Sequence, residues 1–349
     1  MLFYVLESLP AFITSFVVSI SDAEFRALKK DVLASNRAAF STGTRRNLCT
    51  QWRSFISFCL YFGLQYLPAS SDTICLYAQF LTRTFKSVAS VRNYLHGVKL
   101  LHIFSGFHFK HFESFEIKLF LKGLSRLHPH AVKQAALITP SILRDIHKYL
   151  DRHNNLHTAC WAAFLLAFFL MLRKSNLVPS SLAKFDASKQ LARKDILLCD
   201  FGLLVRISWS KTNQFGKRLL KIPILRIPAS NLCPVAAFER LLKVAPAPPS
   251  APAFTFKSSP LSCVTSYRFV RVLRDSLHKA GYPSLKFSGH SFRRGGATCA
   301  FRAGVPGELI QLHGDWQSDA YLRYLDFSFD SKLRVSAAMR DLICANINE

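Results

Sequence analysis

The stretch GHSFRRGGAT, Gly289 to Thr298, sets one histidine and two adjacent arginines between glycines. Ser288 can cap a helix running from about Gly289 to Ala303, with Gly304 just beyond it. On such a helix His290 and Arg293 are three residues apart and share a face near its positive end. A helix N-terminus favours phosphate, and an arginine fork grips two phosphate oxygens at once. The pair could therefore hold a phosphoryl group and pass a proton beside it. Surface helices also begin with His and Arg, so the pair alone leaves a solvated basic turn open. Arg294, about 100 degrees round the helix, is expected to support the fold or a phosphate backbone instead.

A second arginine has an equally constrained setting. Arg173 follows ACWAAFLLAFFLML, an unbroken apolar run from Ala159 to Leu172. A guanidinium at the end of a buried helix is either paired or waiting for an anion. Carboxylates are scarce: 21 Asp and Glu stand against 46 Lys and Arg, a formal net charge of +25. That shortage favours the anion. An excess this large on a chain with 19% charged residues points to a polyanionic partner, nucleic acid first and an anionic membrane surface next. The basic residues come in pairs such as Lys29-Lys30 and Arg45-Arg46 rather than in runs, which suits a folded surface better than a tail.

The elements that must position these residues fall into two groups. TRRNLCTQWRSFISFCLYFGL, DTICLYAQFLTRTF, SVASVRNYLHGVKLLHIFSG and FESFEIKLFLKGLSRL read as four helices. Residues 23–127 are thus expected to form an all-helical domain, after an N-terminal extension at 1–22 that is a poor signal peptide. HPHAVKQAALITP holds two prolines and no strong period, so residues 128–138 read as a linker that includes Lys133. Residues 139–349 form the second domain. There the apolar run is too short to span a bilayer and reads as a core helix. KDILLC, FGLLVRISWS and KRLLKIPIL then read as strands, the last two joined by a turn at KTNQFG. Pro234 opens a helix, and Thr265 and Gly281 bound another. The fold class is mainly α with a small antiparallel sheet.

PGELIQLHGDWQSDAYLRYLDF supplies a short helix from Pro306, a stop at Gly314, and Ser318 as cap of a segment with Tyr321 and Tyr324. With it the pattern resembles the tyrosine recombinase, or phage integrase, family, whose catalytic domain runs Arg, hairpin Lys, His-x-x-Arg, His or Trp, then Tyr. Here the order is Arg173, Lys211, His290 and Arg293, Trp316, Tyr324. The likeness covers Thr139 to about Phe327. The G-x-W-x-S-x-A frame is similar to recombinases of eukaryotic mobile elements of the Crypton and DIRS types.

The resemblance implies a C-shaped two-domain clamp on double-stranded DNA, with a SAM-like helical core-binding domain ahead of an α+β catalytic domain. It implies a site-specific recombinase acting through a 3′-phosphotyrosine, assembling as a homo-tetramer on DNA and needing no metal or cofactor. Tyr324 would be the nucleophile, Arg173 and Arg293 the phosphate clamp, Lys211 the proton donor to the leaving oxygen, His290 the partner of the tyrosine proton, and Trp316 a phosphate contact or buttress. Lys217 and Lys221 compete with Lys211, Tyr321 with Tyr324, and His313 with Trp316. Asn176 stands where the family usually has an acid, which keeps open a catalytically silent, domesticated DNA-binding protein; a type IB topoisomerase is the other alternative. Arg45, Arg46, Arg53, Lys86, Arg92 and Lys99 are candidate DNA contacts, from their helical faces. The 25-residue tail after Tyr324 could dock on a neighbouring protomer through VSAAMRDLICANI.

Other chemistries fit less well. Nine cysteines show no CxxC spacing, which suits free thiols in a reducing compartment. His108/His111, His128/His130 and His153/His157 lack companion ligands, and no Gly-rich phosphate loop is present. No small-molecule substrate and no membrane is expected; the location is intracellular and DNA-associated, nuclear in a eukaryotic host.

Overall fold

The computed structural model describes residues 22–107, 114–130, 134–210, 213, 218–257, 262–325, 333, 336–337 and 339–341. The chain divides into two compact units, Met1–Val132 and Lys133–Glu349. The first unit is helical: α1 Asp22–Ala38, α2 Thr42–Tyr61, α3 Ser71–Thr82, α4 Val88–Phe104 and α5 Phe115–Leu127. A serine starts each of the last four, with Ser41, Ser70, Ser87 and Ser114 accepting from backbone N–H groups of the first turn. Helix α1 is the addition to the four expected helices. The core is aromatic: Tyr77 lies between Phe55 and Phe58, at ring-centroid distances of 5.0 and 5.2 Å. His102 is fully buried there, its Nδ1 donating to Val98 O at 2.8 Å and its Nε2 accepting from Ala69 N at 2.9 Å.

The second unit is built round α7, Asn155–Phe169, which follows α6, Pro140–His147. Helix α7 is buried on every side from Thr158 to Phe168, because an all-apolar helix must be covered all round. Helix α8, Pro234–Val244, packs on it, with Pro234 in its first turn where the missing N–H has no role. The sheet has order β1-β2-β3 (Ile196–Cys199, Gly202–Ile207, Leu220–Leu225) and is antiparallel throughout. Val205 sits opposite Ile196 on one side and Ile222 on the other. Leu203, Val205 and Ile207 face the core together with Ile222 and Ile224, the period of two that places one face inside. Pro223 is tolerated because β3 is an edge strand. A two-residue pair, β4 Thr255–Phe256 with β5 Ser262–Cys263, was too short to read from sequence. Helix α9, Ser266–Lys279, precedes the segment of chemical interest. Gln134 to Ile138, in the stretch read as a linker, pack on this unit: Ala136 N donates to Lys286 O, Ile138 N to Ser291 O, and Ile138 is fully buried.

His102, His147 and His157 are all held below the ordinary imidazole value, in each case chiefly by burial. Folding therefore favours their neutral forms, while the unfolded chain takes up protons near about pH 6.5. Stability from these groups is complete above that value and declines as the pH falls below it. Urea unfolding is expected to show a lower midpoint at about pH 5.5 than at about pH 7.5; equal midpoints would contradict the burial assigned to these rings.

Candidate active site

Helix α10, Gly289–Arg302, carries the first cluster. Ser288 Oγ accepts from His290 N at 3.2 Å and Ser291 Oγ accepts from Ser288 N at 3.0 Å, a reciprocal cap that fixes the helix start. Phe292 stacks on Phe164 of α7 at 5.2 Å and meets Phe269 of α9 edge-on at 5.3 Å, which locks the rotation of α10. The glycine pair sets its depth. A Cβ on Gly295 would lie 1.8 Å from Ile138 O, and one on Gly296 would lie 2.1 Å from Phe168 O. Only bare backbone lets the helix come this close to its neighbours.

That rotation and depth bury the residue after Phe292. Arg293 is 1% exposed. Its Nη1 donates to the carbonyl of Met171, a residue held at a φ of 49° just past the end of α7. Its guanidinium carbon lies 3.7 Å from the ring centroid of Trp316 and 5.4 Å from that of Tyr324. Nε and Nη2 are buried without a well-formed hydrogen bond, as is Nε1 of Trp316, and the Tyr324 hydroxyl lies near enough to interact with the guanidinium. Burial first, and then the positive charge of Arg173, push the Arg293 guanidinium down to about 9. Buried donors are almost always satisfied, so three without a well-formed bond in one place mark a site shaped for something that accepts. Arg294 instead donates Nη1 to Ala135 O, a fold contact.

Arg173 departs from the expected continuous helix. Helix α7 ends at Phe169, and Arg173 sits at the head of a separate turn, Lys174–Leu177, half-buried. The left-handed Met171 interrupts the apolar run, which the sequence presents as unbroken. Among the described residues no carboxylate lies within ion-pair distance of Arg173 or Arg293. Lys174, not singled out from sequence, packs under Gly289, whose Cβ would sit 2.8 Å from that of Lys174. His290 is solvent-accessible at the cluster's edge. Its imidazole is held low by burial and then by the charges of Arg293, Arg173 and Lys174. Removing one of those cations should raise it. In an NMR titration of the His290 ring, Lys174→Ala is expected to shift the midpoint upward from a wild-type value below about 6.5; an unmoved or lower midpoint would exclude the assigned field.

The third piece follows α11, Gly307–His313. Trp316 is 5% exposed and packs on Ile310, Ala297 and Met171. His313, its competitor, bonds through Nε2 to Phe169 O at 2.8 Å, so its ring is engaged by backbone. Tyr321 and Tyr324 lie on a 3-10 turn, Asp319–Tyr324, rather than on an α-helix. Residues three apart eclipse in that geometry, which brings both rings toward Trp316, at 6.4 and 5.3 Å. The hydroxyl end of Tyr321 packs on Gly307, where an added Cβ would sit 2.6 Å from it. The backbone of Tyr324 is tied to α10, its carbonyl accepting from Thr298 Oγ1 at 3.0 Å.

Lys211 and its competitor Lys217 lie outside the described residues; Lys221 is exposed on β3. What precedes Lys211 is well anchored. Asn176 is buried, and its Nδ2 donates to Trp209 O at 3.0 Å. A carboxylate there would set oxygen against oxygen, so the amide is the matching group for this backbone. Of the first unit's candidates, Arg45, Arg46 and Arg53 lie exposed on α2, Lys86 and Arg92 exposed before and on α4, and Lys99 half-buried on α4. His108, His111 and Lys133, residues 1–21 and most of the C-terminal tail lie outside the described residues. Among the described residues no group of three His, Cys, Asp or Glu side chains could hold a metal ion. No described helix is long and apolar enough to cross a membrane.

No family model matches the chain. A curated relative, an integrase/recombinase XerD homolog of Selenomonas ruminantium, is 23% identical over 289 residues, 81% of each chain. Among solved structures, the Tn1549 transposon integrase in complex with transposon right end DNA is similar with a TM-score of 0.63 at 15% identity, covering 90% of this chain and 98% of that one. A lambda integrase dimer bound to a core site gives a TM-score of 0.55 at 15% identity, covering 87% and 95%. The post-cleavage complex of the XerH site-specific recombinase gives 0.54 at 16%, covering 78% and 70%. The fold is mainly α-helical with a small antiparallel sheet, and it is similar to that of these DNA-bound integrase and recombinase structures.

Proposed function

We propose, for a chain with a fold similar to that of these integrases and recombinases, that it cuts and rejoins double-stranded DNA through a covalent 3′-phosphotyrosine. The observation that carries this reading is the trio of buried donors without a well-formed hydrogen bond, Arg293 Nε and Nη2 and Trp316 Nε1, beside the Tyr324 ring. A phosphodiester oxygen is the acceptor that fits them.

In this reading the Tyr324 phenol oxygen attacks the scissile phosphorus and a P–O(tyrosine) bond forms. The bond from phosphorus to the 5′-oxygen breaks, and that oxygen takes a proton from the Lys211 ammonium and leaves as a hydroxyl. The phenol proton passes toward His290, whose depressed basicity keeps it neutral and able to receive one near neutral pH. Negative charge gathers on the non-bridging oxygens, where Arg293, Arg173 and the Trp316 indole N–H stabilise it. Reversal by a 5′-hydroxyl from another strand reseals the duplex, so the energy of the broken bond is kept in the intermediate.

Arg45, Arg46, Arg53, Lys86, Arg92 and Lys99 are assigned to the phosphate backbone, and affinity is expected to fall steeply with salt. A homo-tetramer on DNA, a mobile-element origin of the Crypton or DIRS type, and an intracellular, DNA-associated location belong to the same reading. The rival, a silent DNA-binding protein, drew on the missing acid at position 176. The Asn176–Trp209 bond weakens that rival, because the position still anchors the backbone ahead of Lys211.

The test uses nicked suicide duplexes recovered from a random-sequence pool by retention on the full chain. A protein–DNA adduct resistant to denaturant and formed in the presence of a metal chelator is expected. Retention of duplex with no adduct would favour the silent protein.

A further inference from the structure

Tyr324 sits on an element that is weak by itself. The 3-10 turn Asp319–Tyr324 runs for six residues, and none of them is buried. Runs longer than three or four residues are uncommon in this geometry, because its hydrogen bonds are poorly aligned. A nucleophile on such a turn needs to be held from outside.

The residue after the tyrosine supplies one hold. Leu325 is 7% exposed and joins the cluster of Met171, Ala297, Ile310 and Trp316. Apolar burial keeps the chain down, but it is non-directional and does not fix where along that surface the backbone lies. The second hold is directional. Thr298, on α10 beside Ala297, is 3% exposed. Valine has the same shape and would fill the space without burying a hydroxyl, so the hydroxyl needs a reason. A threonine inside a helix can satisfy its hydroxyl on the carbonyl four residues back. Thr298 Oγ1 donates instead to Tyr324 O at 3.0 Å, 26 residues away in sequence. That carbonyl closes the turn, where a helix leaves its last acceptors without internal partners.

The phosphate clamp is on the same helix. Arg293 precedes Thr298 by five residues, about 7.5 Å along the axis. The rotation and depth of that helix are fixed by Phe292 and by Gly295 and Gly296. One rigid element therefore carries both the guanidinium and the point at which the tyrosine backbone is fastened. The Tyr324 hydroxyl lies near enough to interact with that guanidinium. We infer that Thr298 is a positioning residue: its hydroxyl fastens the Tyr324 carbonyl to α10 and so sets the phenol against the phosphate that Arg293 holds. This rests on the reading of Tyr324 as nucleophile given above and adds a residue that acts through the tyrosine backbone.

The test uses the full chain and separates the fastening, the clamp and the chemistry. Thr298→Val keeps the shape and loses the hydroxyl, while Thr298→Ser keeps the hydroxyl. On a nicked suicide duplex at saturating protein, Thr298→Val is expected to slow adduct formation by about 10–100-fold, the scale of a misplacement of about 1 Å. Duplex retention should be unchanged, and Thr298→Ser should restore most of the rate. Thr298→Ala removes the hydroxyl by a second route and should behave as the valine does. The rise in Tm given by inorganic phosphate reports the clamp and should equal that of the wild type in every variant. Trypsin applied to the native chain reads the fastening without DNA. Cleavage after Arg323, which is exposed, should be faster in Thr298→Val than in the wild type or Thr298→Ser, with other sites cut at unchanged rates.

An unchanged adduct rate in Thr298→Val and Thr298→Ala would overturn the inference. So would a phosphate response lost together with the rate, because the damage would then lie in α10 and the clamp. A Thr298→Ser rate as low as that of Thr298→Val would assign the defect to packing, and a slow Thr298→Val with unaltered cleavage after Arg323 would remove the fastening; either result overturns it. If the wild type forms no adduct while trypsin still distinguishes Thr298→Val, the strand-cutting reading fails and Thr298 is a contact of the fold alone.

Discussion

Replacing Arg293 by methionine is expected to make the chain more stable and to lower adduct formation by about 10²–10³-fold. The two effects share one cause. Arg293 is a buried cation with two nitrogens lacking a well-formed hydrogen bond, and its guanidinium is pushed down to about 9. A base held lower in the folded than in the unfolded chain means that its charged form is less welcome after folding. At neutral pH the arginine is charged in both states, so it works against folding. Replacing buried charges by apolar groups of similar volume is often neutral or stabilising by about 1–4 kcal/mol. Against this stands the lost bond from Nη1 to the Met171 carbonyl, typically about 1 kcal/mol. The balance favours a higher Tm for Arg293→Met. Inorganic phosphate or vanadate should raise the Tm of the wild type by occupying the site and leave that of the variant unchanged. A variant that melts lower, or that cleaves at the wild-type rate, would show that Arg293 is structural.

Tyr324→Phe should abolish the adduct and leave DNA retention and Tm close to those of the wild type. Only the hydroxyl is removed, while the ring keeps its contacts with Trp316 at 5.3 Å and with the Arg293 guanidinium at 5.4 Å. Tyr321→Phe should still form the adduct, since its hydroxyl end packs on Gly307. If Tyr321→Phe is the silent variant instead, the nucleophile lies one turn earlier. The two tyrosines are three residues apart on one 3-10 turn and so share a side of it, and no argument from helical faces could have separated them.

Much of the scaffold was legible because its signals are local. The Ser288 cap, the period-two strands and the glycine stop at Gly304, with a φ of 84°, are each set by a few neighbouring residues. The candidate site was legible only as an order of landmarks. That Arg293 is fully buried while Arg294 bonds Ala135 follows from Phe292 locking α10 against Phe164 and Phe269, a tertiary fact. The break at Met171 is hidden inside an apolar run, because hydrophobicity carries no information about a left-handed φ. Asp315 was read only as the variable residue of a G-x-W frame. Its partners Ser210 and Arg218 lie about a hundred residues away in sequence, beyond what spacing can reveal. The missing acid at position 176 looked like a loss from sequence, and the Trp209 carbonyl that makes an amide suitable there is visible only in three dimensions.

The most direct test of the account is the identity of the residue that carries DNA. After the adduct is trapped on a suicide duplex, the DNA is digested to a short nucleotide and the protein is cut with trypsin. Arg323 separates the two candidate tyrosines, so Tyr321 and Tyr324 fall on different peptides. The account predicts the nucleotide phosphate on the peptide that begins at Tyr324. The same mass on the peptide that ends at Arg323, or no nucleotide-bearing peptide from a chain that retains the duplex, would contradict it.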